Sequence, residues 1–291
     1  MGATLAELAR QHQTDKVDHG YLSFYDELFG PWRPRPLRLL EIGVGGFEHP
    51  DDPGFGGASL RLWRDYFPQA RIVGLDILDK HDTAGERITI VQGSQTDPDL
   101  LARVARDHGP FDIVIDDGSH VPAHVRTTFE LLQPALAAEA IYVIEDTQTS
   151  YWPSWGGSFF LDSHRSTMGM VKRRLDGLNH AELQRPNVRP SELDRRIVEI
   201  RARHNLVAFR FGDNTAPSTM NPPHPLPLGD WVRDDLLPAL VEVPRTPRVL
   251  ALLDATGLRA AAGRVRRRLR PPPSADAGSG DHPDDRDDRT S

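Results

Sequence analysis

The sequence predicts an α/β fold: a doubly wound, seven-stranded, mostly parallel sheet with a closing β-hairpin. Short and nearly continuous apolar runs alternate with longer mixed segments between residues 37 and 212. This alternation is typical of parallel strands joined by helices, because strands that are buried on both faces carry few polar residues. Several of the apolar runs end at glycine or at an acidic residue. That pattern indicates a ligand-binding edge, since ligands of such sheets bind beyond the carboxyl ends of the strands.

Seven strands and three helices are predicted along this region. The strands are Leu37–Gly43, Arg71–Asp76, Arg87–Gln92, Phe111–Asp116, Ile141–Glu145, Ile197–Ala202 and Leu206–Phe211. The helices are Leu60–Phe67, Asp97–Asp107 and Pro122–Leu136. The last two strands flank His204-Asn205 and are predicted to pair as a hairpin around that turn.

The rest of the chain divides by composition. Residues 1–36 form an N-terminal lead with a predicted helix near Leu5–Gln13, and residues 37–212 form the main domain. Residues 213–270 are predicted to be a proline-rich and helical extension. Residues 271–291 lack the apolar side chains that a core requires, so a disordered tail is expected there.

Charge and cysteine content restrict the class of protein. The 291 residues carry a formal net charge of −7, so broad electrostatic binding of nucleic acid is not expected. The absence of cysteine excludes a disulfide scaffold, a zinc ribbon and a cysteine nucleophile. No apolar run is long enough to cross a membrane, and the acidic start does not have the pattern of a signal peptide. We therefore expect a cytoplasmic protein that binds neither nucleic acid nor membrane.

A glycine-rich loop follows the first strand, in the order Gly43-Val44-Gly45-Gly46. Glycine lets the backbone approach a ligand closely. A dinucleotide site would continue directly into a helix, but residues 47–57 contain two prolines and three acidic residues, which disfavour a pyrophosphate. We predict a ligand without phosphates, with a tight strand-to-helix turn as the alternative.

Asp76 ends the second strand, next to the glycine loop. A carboxylate at this place can accept hydrogen bonds from both hydroxyls of a ribose, although a capping or surface role is the alternative. A nucleoside without phosphates that carries a positive sulfonium satisfies both observations. The sequence therefore predicts S-adenosylmethionine as the cofactor.

Four carboxylates follow the fourth and fifth strands: Asp116, Asp117, Glu145 and Asp146. Because the ends of neighbouring parallel strands meet at one edge, we expect these side chains to converge. Converging carboxylates repel one another unless they are protonated or hold a cation, and their hard oxygen atoms favour Mg²⁺. In the alternative interpretation, Asp116 or Asp117 caps the helix that follows.

His120 lies three residues after Asp117 and can face the same space as a base, with a hydrogen-bonded loop histidine as the alternative. Tyr151 and Trp152 lie in an aromatic segment just after the second acidic pair. Aromatic faces beside a catalytic edge suit sugar or polyketide rings, so we predict a substrate-binding role for this pair. Packing in the core is the alternative.

Six blocks between about Gln11 and Asn214 carry a family resemblance. They are Thr14-Asp15-Lys16, His19-Gly20-Tyr21, Phe24-Tyr25, Leu40–Gly45, Ile115–His120 and Ile144–Trp152. Together they resemble the metal-dependent sugar O-methyltransferases of macrolide and related polyketide pathways, of the mycinamicin and spinosyn type. The glycine block is shared by most class I methyltransferases, whereas the last two blocks are specific. The resemblance implies the Rossmann-like class I methyltransferase fold.

The resemblance also implies a role for individual residues. The cofactor S-adenosylmethionine would contact Glu41, Gly43, Gly45, Ser59, Asp76, Gln92, Gly93, Ser94 and Asp116. Thr14 and Tyr21 would close over it from the N-terminal lead. Mg²⁺ would be held by Asp117, Glu145 and Asp146, and His120 would be the general base.

The expected reaction is methylation of a sugar hydroxyl on a glycosylated small-molecule acceptor, by a protein expected to be a homo-oligomer. A nicotinamide-dependent oxidoreductase is the main alternative, because the glycine loop and Asp76 fit it while the converging acids do not. A non-catalytic methyltransferase-fold scaffold and a hydroxylase-like tailoring enzyme are further alternatives. The acceptor and the hydroxyl that is methylated depend on pocket side chains that the sequence does not identify.

Overall fold

The seven strands of the protein form one sheet in the order β3-β2-β1-β4-β5-β7-β6 in the computed structural model, which describes residues 2–46, 56–183 and 189–218. The strands are β1 Arg38–Ile42, β2 Arg71–Asp76, β3 Ile88–Gln92, β4 Phe111–Asp116, β5 Leu136–Ile144, β6 Ile197–Arg203 and β7 Leu206–Phe211. Strands β1 to β5 are parallel, and β7 pairs antiparallel with both β5 and β6. The predicted fold class and its closing hairpin are confirmed.

The helices cover both faces of this sheet. They are α1 Leu5–His12, α2 Leu22–Phe29, α3 Ala58–Tyr66, α4 Pro98–His108, α5 Pro122–Leu132, α6 Thr167–Leu178 and α7 Glu192–Arg196. Helix α1 begins with a capping box, in which Thr4 and Glu7 satisfy each other's backbone N–H groups. No helix among the described residues is long and apolar enough to cross a membrane.

Helix α5 and strand β5 differ from their predicted bounds. The helix ends at Leu132 rather than Leu136, because Pro134 has no N–H and restricts the residue before it. Strand β5 then begins at Leu136 instead of Ile141. The predicted helical extension after Ser218 and the predicted tail at residues 271–291 lie outside the described residues.

The N-terminal lead is part of the hydrophobic core. Tyr25 and Phe29 of α2 are fully buried, and their rings pack against Trp63 of α3 at centroid distances of 5.1 and 5.6 Å. Burial of each such side chain contributes about 1.5–3 kcal/mol to folding. This packing fixes the segment between α1 and α2, which includes Thr14 and Lys16, beside the sheet.

The register of the parallel strands aligns their carboxyl ends. Ile42 of β1 is the register partner of Leu75 in β2 and of Asp116 in β4. Asp116 is in turn the partner of Ile144 in β5. The residues that follow these positions therefore leave the sheet together at one edge, and they are Gly43, Asp76, Asp117 and Glu145.

Candidate active site

The glycine loop begins where β1 ends. Gly43 has a φ of +87°, and a Cβ at this position would collide with the backbone carbonyl oxygen of Asp117. Only glycine therefore lets the ends of β1 and β4 approach each other this closely. Gly45 and Gly46 also have positive φ values, and the helix that follows begins only at Ala58. Part of the segment argued to exclude a pyrophosphate, residues 47–55, lies outside the described residues.

Asp76 holds the glycine loop from the end of β2. Its Oδ2 accepts a hydrogen bond from the Val44 N–H at 2.8 Å, and its Oδ1 accepts from the Leu78 N–H at 2.9 Å. Each carboxylate oxygen can accept a further hydrogen bond, so the side chain retains capacity for ribose hydroxyls. The predicted ribose contact stays a prediction that this geometry accommodates.

A cavity of about 1000 Å³ opens at this edge of the sheet. The predicted site residues that line it are Thr14, Gly43, Gly45, Ser59, Asp76, Gly93, Ser94, Asp117, His120 and Asp146. The structure thus brings the predicted cofactor residues and most of the predicted metal and base residues to one cavity. Lining residues that the sequence reasoning missed include His12, His19, Gln95, Ser119 and His124. His19 and Ser119 lie within the resemblance blocks, which was the available signal.

Asp117, His120 and Asp146 form a group that could hold a metal ion, because one ligand atom from each lies within 4.8 Å of the others. The His120 Nε2 lies 3.6 Å from Asp146 Oδ2 and 3.9 Å from Asp117 Oδ1. His120 and Asp146 both adopt left-handed backbone conformations, with φ values of 55° and 51°. Non-glycine residues rarely do so, and such conformations cluster at functional sites.

Thr149 ties these two unusual backbone positions together. Its hydroxyl donates to the His120 carbonyl oxygen at 2.7 Å and lies 3.3 Å from the Asp146 carbonyl oxygen. Thr149 is buried, with 3% of the residue exposed. Thr149 was not among the predicted site residues.

Glu145 is more deeply buried than Asp117, His120 and Asp146. Its Oε1 accepts hydrogen bonds from Lys16 Nζ at 2.6 Å and from the Tyr25 hydroxyl. Lys16 Nζ also lies 2.7 Å from Asp117 Oδ2 and 3.5 Å from Glu41 Oε1. Burial alone would lower the pKa of Lys16, but the three carboxylates outweigh burial and hold the pKa above its usual value. Lys16 belongs to one of the blocks that carry the family resemblance, but no role was predicted for it.

Burial changes the protonation of the acids inside this edge. It raises the pKa of Glu41 to about 7, and it raises the pKa of Asp116 to about 7. Burial, followed by the charge of Asp117, also raises the pKa of Glu145. Perturbed acids of this kind are enriched at functional sites.

Three further residues that were predicted to contact the cofactor, Tyr21, Glu41 and Gln92, do not line the cavity. Tyr21 donates from its hydroxyl to Asp146 Oδ1 at 2.7 Å, and Glu41 Oε2 accepts from the Ser59 hydroxyl at 2.9 Å. Gln92 is the register partner of Asp76. These placements leave the predicted cofactor roles of Tyr21, Glu41 and Gln92 as predictions.

Asp116 is buried, and it accepts hydrogen bonds from Gln95 and from the Tyr142 hydroxyl. The alternative that Asp116 or Asp117 caps the next helix is wrong, because Val121 is the N-cap residue of α5 and no side chain caps that helix.

Tyr151 and Trp152 lie on the surface, with 43% and 46% of their side chains exposed. The alternative that they pack in the core is therefore wrong. Their predicted role in binding the acceptor stays a prediction. They belong to an aromatic segment that also exposes Trp155, whose ring lies 6.5 Å from that of Trp152.

Comparisons with known proteins identify relatives of this chain. Mycinamicin VI 2''-O-methyltransferase of Micromonospora griseorubida is 44% identical over 214 residues, which cover 72% of this chain and 53% of that protein. Demethylmacrocin O-methyltransferase of Streptomyces fradiae is 43% identical over 215 residues, which cover 72% of this chain and 54% of the relative. The chain thus spans about half the length of these relatives. No protein-family model matches it.

Solved structures show the same similarity. The MycE methyltransferase from the mycinamycin biosynthetic pathway, solved in complex with Mg and SAH, matches with a TM-score of 0.73 and 41% identity. The match covers 78% of this chain and 59% of that one. A second MycE structure, in complex with Mg, SAH and mycinamycin VI, matches with a TM-score of 0.71 and 40% identity.

Fold and site together define the matched region as a Rossmann-like methyltransferase domain. More particularly, the chain belongs to the family of sugar O-methyltransferases of macrolide and polyketide pathways, with 40–44% identity to several members, and the predicted resemblance is confirmed.

Proposed function

We propose that this protein is an S-adenosylmethionine-dependent O-methyltransferase that methylates a hydroxyl of a sugar or deoxysugar on a macrolide or other polyketide. One observation carries the proposal. A single cavity is lined at one side by the glycine loop and Asp76, and at another by Asp117, His120 and Asp146. A nucleoside site and an acid–base site in one cavity suit transfer of a group from a nucleoside donor to a hydroxyl.

The cofactor part of the cavity fits S-adenosylmethionine. Gly43 and Gly45 present bare backbone, and Asp76 presents acceptor atoms for ribose hydroxyls. Gly93 and Ser94 line the next strand end along the edge. When bound, the cofactor supplies an electrophilic methyl group attached to a positive sulfonium. Thr14 lines the cavity from the N-terminal lead, which supports its proposed role in covering that cofactor.

The acidic part of the cavity fits a hard divalent cation. Asp117 and Asp146 present carboxylate oxygens to the open space, which is the ligand type that Mg²⁺ prefers. Glu145 is the third proposed ligand, through Oε2, because Lys16 and Tyr25 occupy Oε1. When bound, Mg²⁺ supplies Lewis acidity toward a neighbouring hydroxyl.

His120 is the proposed general base. Its Nε2 lies between the carboxylates of Asp117 and Asp146, which stabilise the imidazolium that forms when Nε2 takes the hydroxyl proton. General base catalysis of this kind contributes about 10²–10⁴-fold to the rate. An oxygen that has lost its proton to His120 can attack the methyl carbon, and the sulfur leaves with the bonding electron pair. Contact between acceptor and methyl donor in the cavity supplies much of the remaining acceleration.

The acceptor is proposed to bind beside Tyr151 and Trp152, whose exposed aromatic faces suit sugar and polyketide rings. The relatives support this acceptor class, since their names specify mycinamicin VI, demethylmacrocin and rhamnosyl tetracenomycin-C. We also propose that the protein forms a homo-oligomer and acts in the cytoplasm. It is proposed to bind neither nucleic acid nor membrane.

The test is transfer of a labelled methyl group from S-adenosylmethionine to glycosylated macrolides and tetracenomycins. His120→Ala should lose turnover while it still binds S-adenosylhomocysteine, and His164→Ala, at an exposed histidine, is the matched control. Full activity of the His120 variant would remove this residue from the mechanism.

The metal assignment is tested in the same assay. Asp117→Asn should abolish both activity and its dependence on Mg²⁺, whereas Asp162→Asn, at a carboxylate that is exposed on the surface, should change neither. An Asp117 variant that responds normally to Mg²⁺ would contradict the assignment.

A further inference from the structure

The carboxylates at the active-site edge surround two separate cation positions. The outer position is open to the cavity and lies beside the carboxylates of Asp117 and Asp146, with the proposed base His120 next to them. The inner position is filled by the ammonium group of Lys16, which contacts Asp117 Oδ2 at 2.7 Å and Glu145 Oε1 at 2.6 Å. Glu41 Oε1 completes the inner position at 3.5 Å.

Asp117 belongs to both positions and uses a different oxygen in each. Its Oδ2 accepts from Lys16, while Oδ1 points to the side of His120, 3.9 Å from Nε2. A carboxylate shared in this way is the usual bridge between two neighbouring cations. Here one of the two cations is a lysine side chain.

Lys16 is held in this place by the fold. Only 1% of its side chain is exposed, and the short helical turn Asp15–Val17 that carries it lies between α1 and α2. The Tyr25 hydroxyl contacts the same Glu145 oxygen from α2. The packed N-terminal lead therefore holds the Lys16 side chain at the inner position.

The positive charge of Lys16 balances part of the negative charge around the two positions. Glu41, Asp117, Glu145 and Asp146 offer four carboxylates around the two positions. One divalent ion balances two negative charges of this set, and any further buried charge is costly unless it is paired or protonated. A second divalent ion in the inner position would meet three carboxylate oxygens that now contact Lys16.

We propose that the Lys16 ammonium group is a built-in cation that fills the inner position, so that the protein binds one divalent ion, in the outer position. Through Oδ2 of Asp117, Lys16 also orients Oδ1 toward that ion. Lys16 is thus a positioning residue for the metal site. This inference rests on the metal site that is part of the proposed function.

The test counts bound ions on the full chain, after removal of metal with a chelator. Mn²⁺ is the probe, because electron paramagnetic resonance measures free Mn²⁺ directly. The unaltered chain should bind one Mn²⁺. Lys16→Met removes the charge but keeps the apolar stem, and it should bind two. Lys172→Met is the matched control, since Lys172 pairs with Asp162 on the surface at 2.8 Å, and it should bind one.

Thermal unfolding with and without Mn²⁺ covers the case in which Lys16→Met folds poorly. An ion that replaces the ammonium group should raise the melting temperature of this variant more than that of the unaltered chain. Equal shifts overturn the inference, because a lysine with a purely structural role predicts no additional gain from a divalent ion.

Three counts also overturn it: two ions in the unaltered chain, one in Lys16→Met, or none in Lys16→Met. Absence of any ion from the unaltered chain would contradict the metal site itself and, with it, this inference. A count of one in both chains contradicts only the role of Lys16. The proposed function is tested separately, by the methyl-transfer assay of the unaltered chain.

Discussion

Thr149→Val removes one hydroxyl group and keeps the shape of the side chain. In the structure this hydroxyl donates to the His120 carbonyl oxygen at 2.7 Å and lies 3.3 Å from that of Asp146. Loss of a buried hydrogen bond that leaves a carbonyl without its partner costs about 1–3 kcal/mol in the free energy of unfolding. Both carbonyls belong to residues in left-handed conformations, so their side chains are expected to shift when the hydroxyl is removed.

A shift of about 1 Å in a catalytic group can cost roughly 10²-fold in rate. We therefore expect kcat for methyl transfer to fall by about that factor in Thr149→Val, with little change in the affinity for S-adenosylhomocysteine. The assay is steady-state methyl transfer below the unfolding temperature, together with chemical denaturation. Thr149→Ser retains the hydroxyl and should keep most of the activity. A valine variant with unaltered kcat would refute the positioning argument.

Three further predictions concern the cofactor, stability and the acceptor. Asp76→Asn should weaken S-adenosylhomocysteine binding by about 10–100-fold in calorimetry, because it removes a charged acceptor worth about 1.5–3 kcal/mol; Asp99→Asn, at an exposed aspartate, should not. Burial raises the pKa of Glu41 from 4.5 to about 7, so the folded chain binds this proton more tightly than the unfolded chain. The free energy of unfolding should therefore fall as the pH rises from 4.5 to about 7. In denaturation measured from pH 4.5 to 7.5, the decrease in the free energy of unfolding should be about 3 kcal/mol smaller in Glu41→Gln. Glu139→Gln, at an exposed glutamate, should show the same decrease as the unaltered chain. Trp152→Ala should raise KM for the glycosylated acceptor and leave cofactor affinity unaltered in steady-state kinetics; an unchanged KM would remove Trp152 from the acceptor site.

Much of the fold could be predicted because buried parallel strands have a recognisable sequence pattern. Buried strands such as Phe111–Asp116 are short apolar runs with few polar interruptions, and their order follows from the alternation with helices. Helix α6 was not predicted, since it depends on a Ser166 cap and on packing against the sheet. The start of β5 was placed too late because Ala138 and Glu139 are exposed and carry no strand signal.

The site residues that could be predicted are those at the carboxyl ends of the parallel strands. Asp76 ends β2, Asp117 directly follows β4 and Asp146 lies two residues after β5, so topology alone brings them to one edge. Lys16 and Thr149 were missed for a different reason. Lys16 is 101 residues from Asp117 and 129 from Glu145, and their contact arises from tertiary packing of the N-terminal lead. Thr149 acts through backbone carbonyls, which no side-chain pattern reveals.

Calorimetric titration of the full chain with S-adenosylmethionine and S-adenosylhomocysteine, with and without Mg²⁺ and beside a parallel titration with NADH, decides between the methyltransferase assignment and its nicotinamide-dependent alternative. We expect micromolar binding of both sulfur nucleosides and no binding of NADH. Binding of NADH without binding of either sulfur nucleoside would contradict the methyltransferase assignment and favour the nicotinamide-dependent alternative.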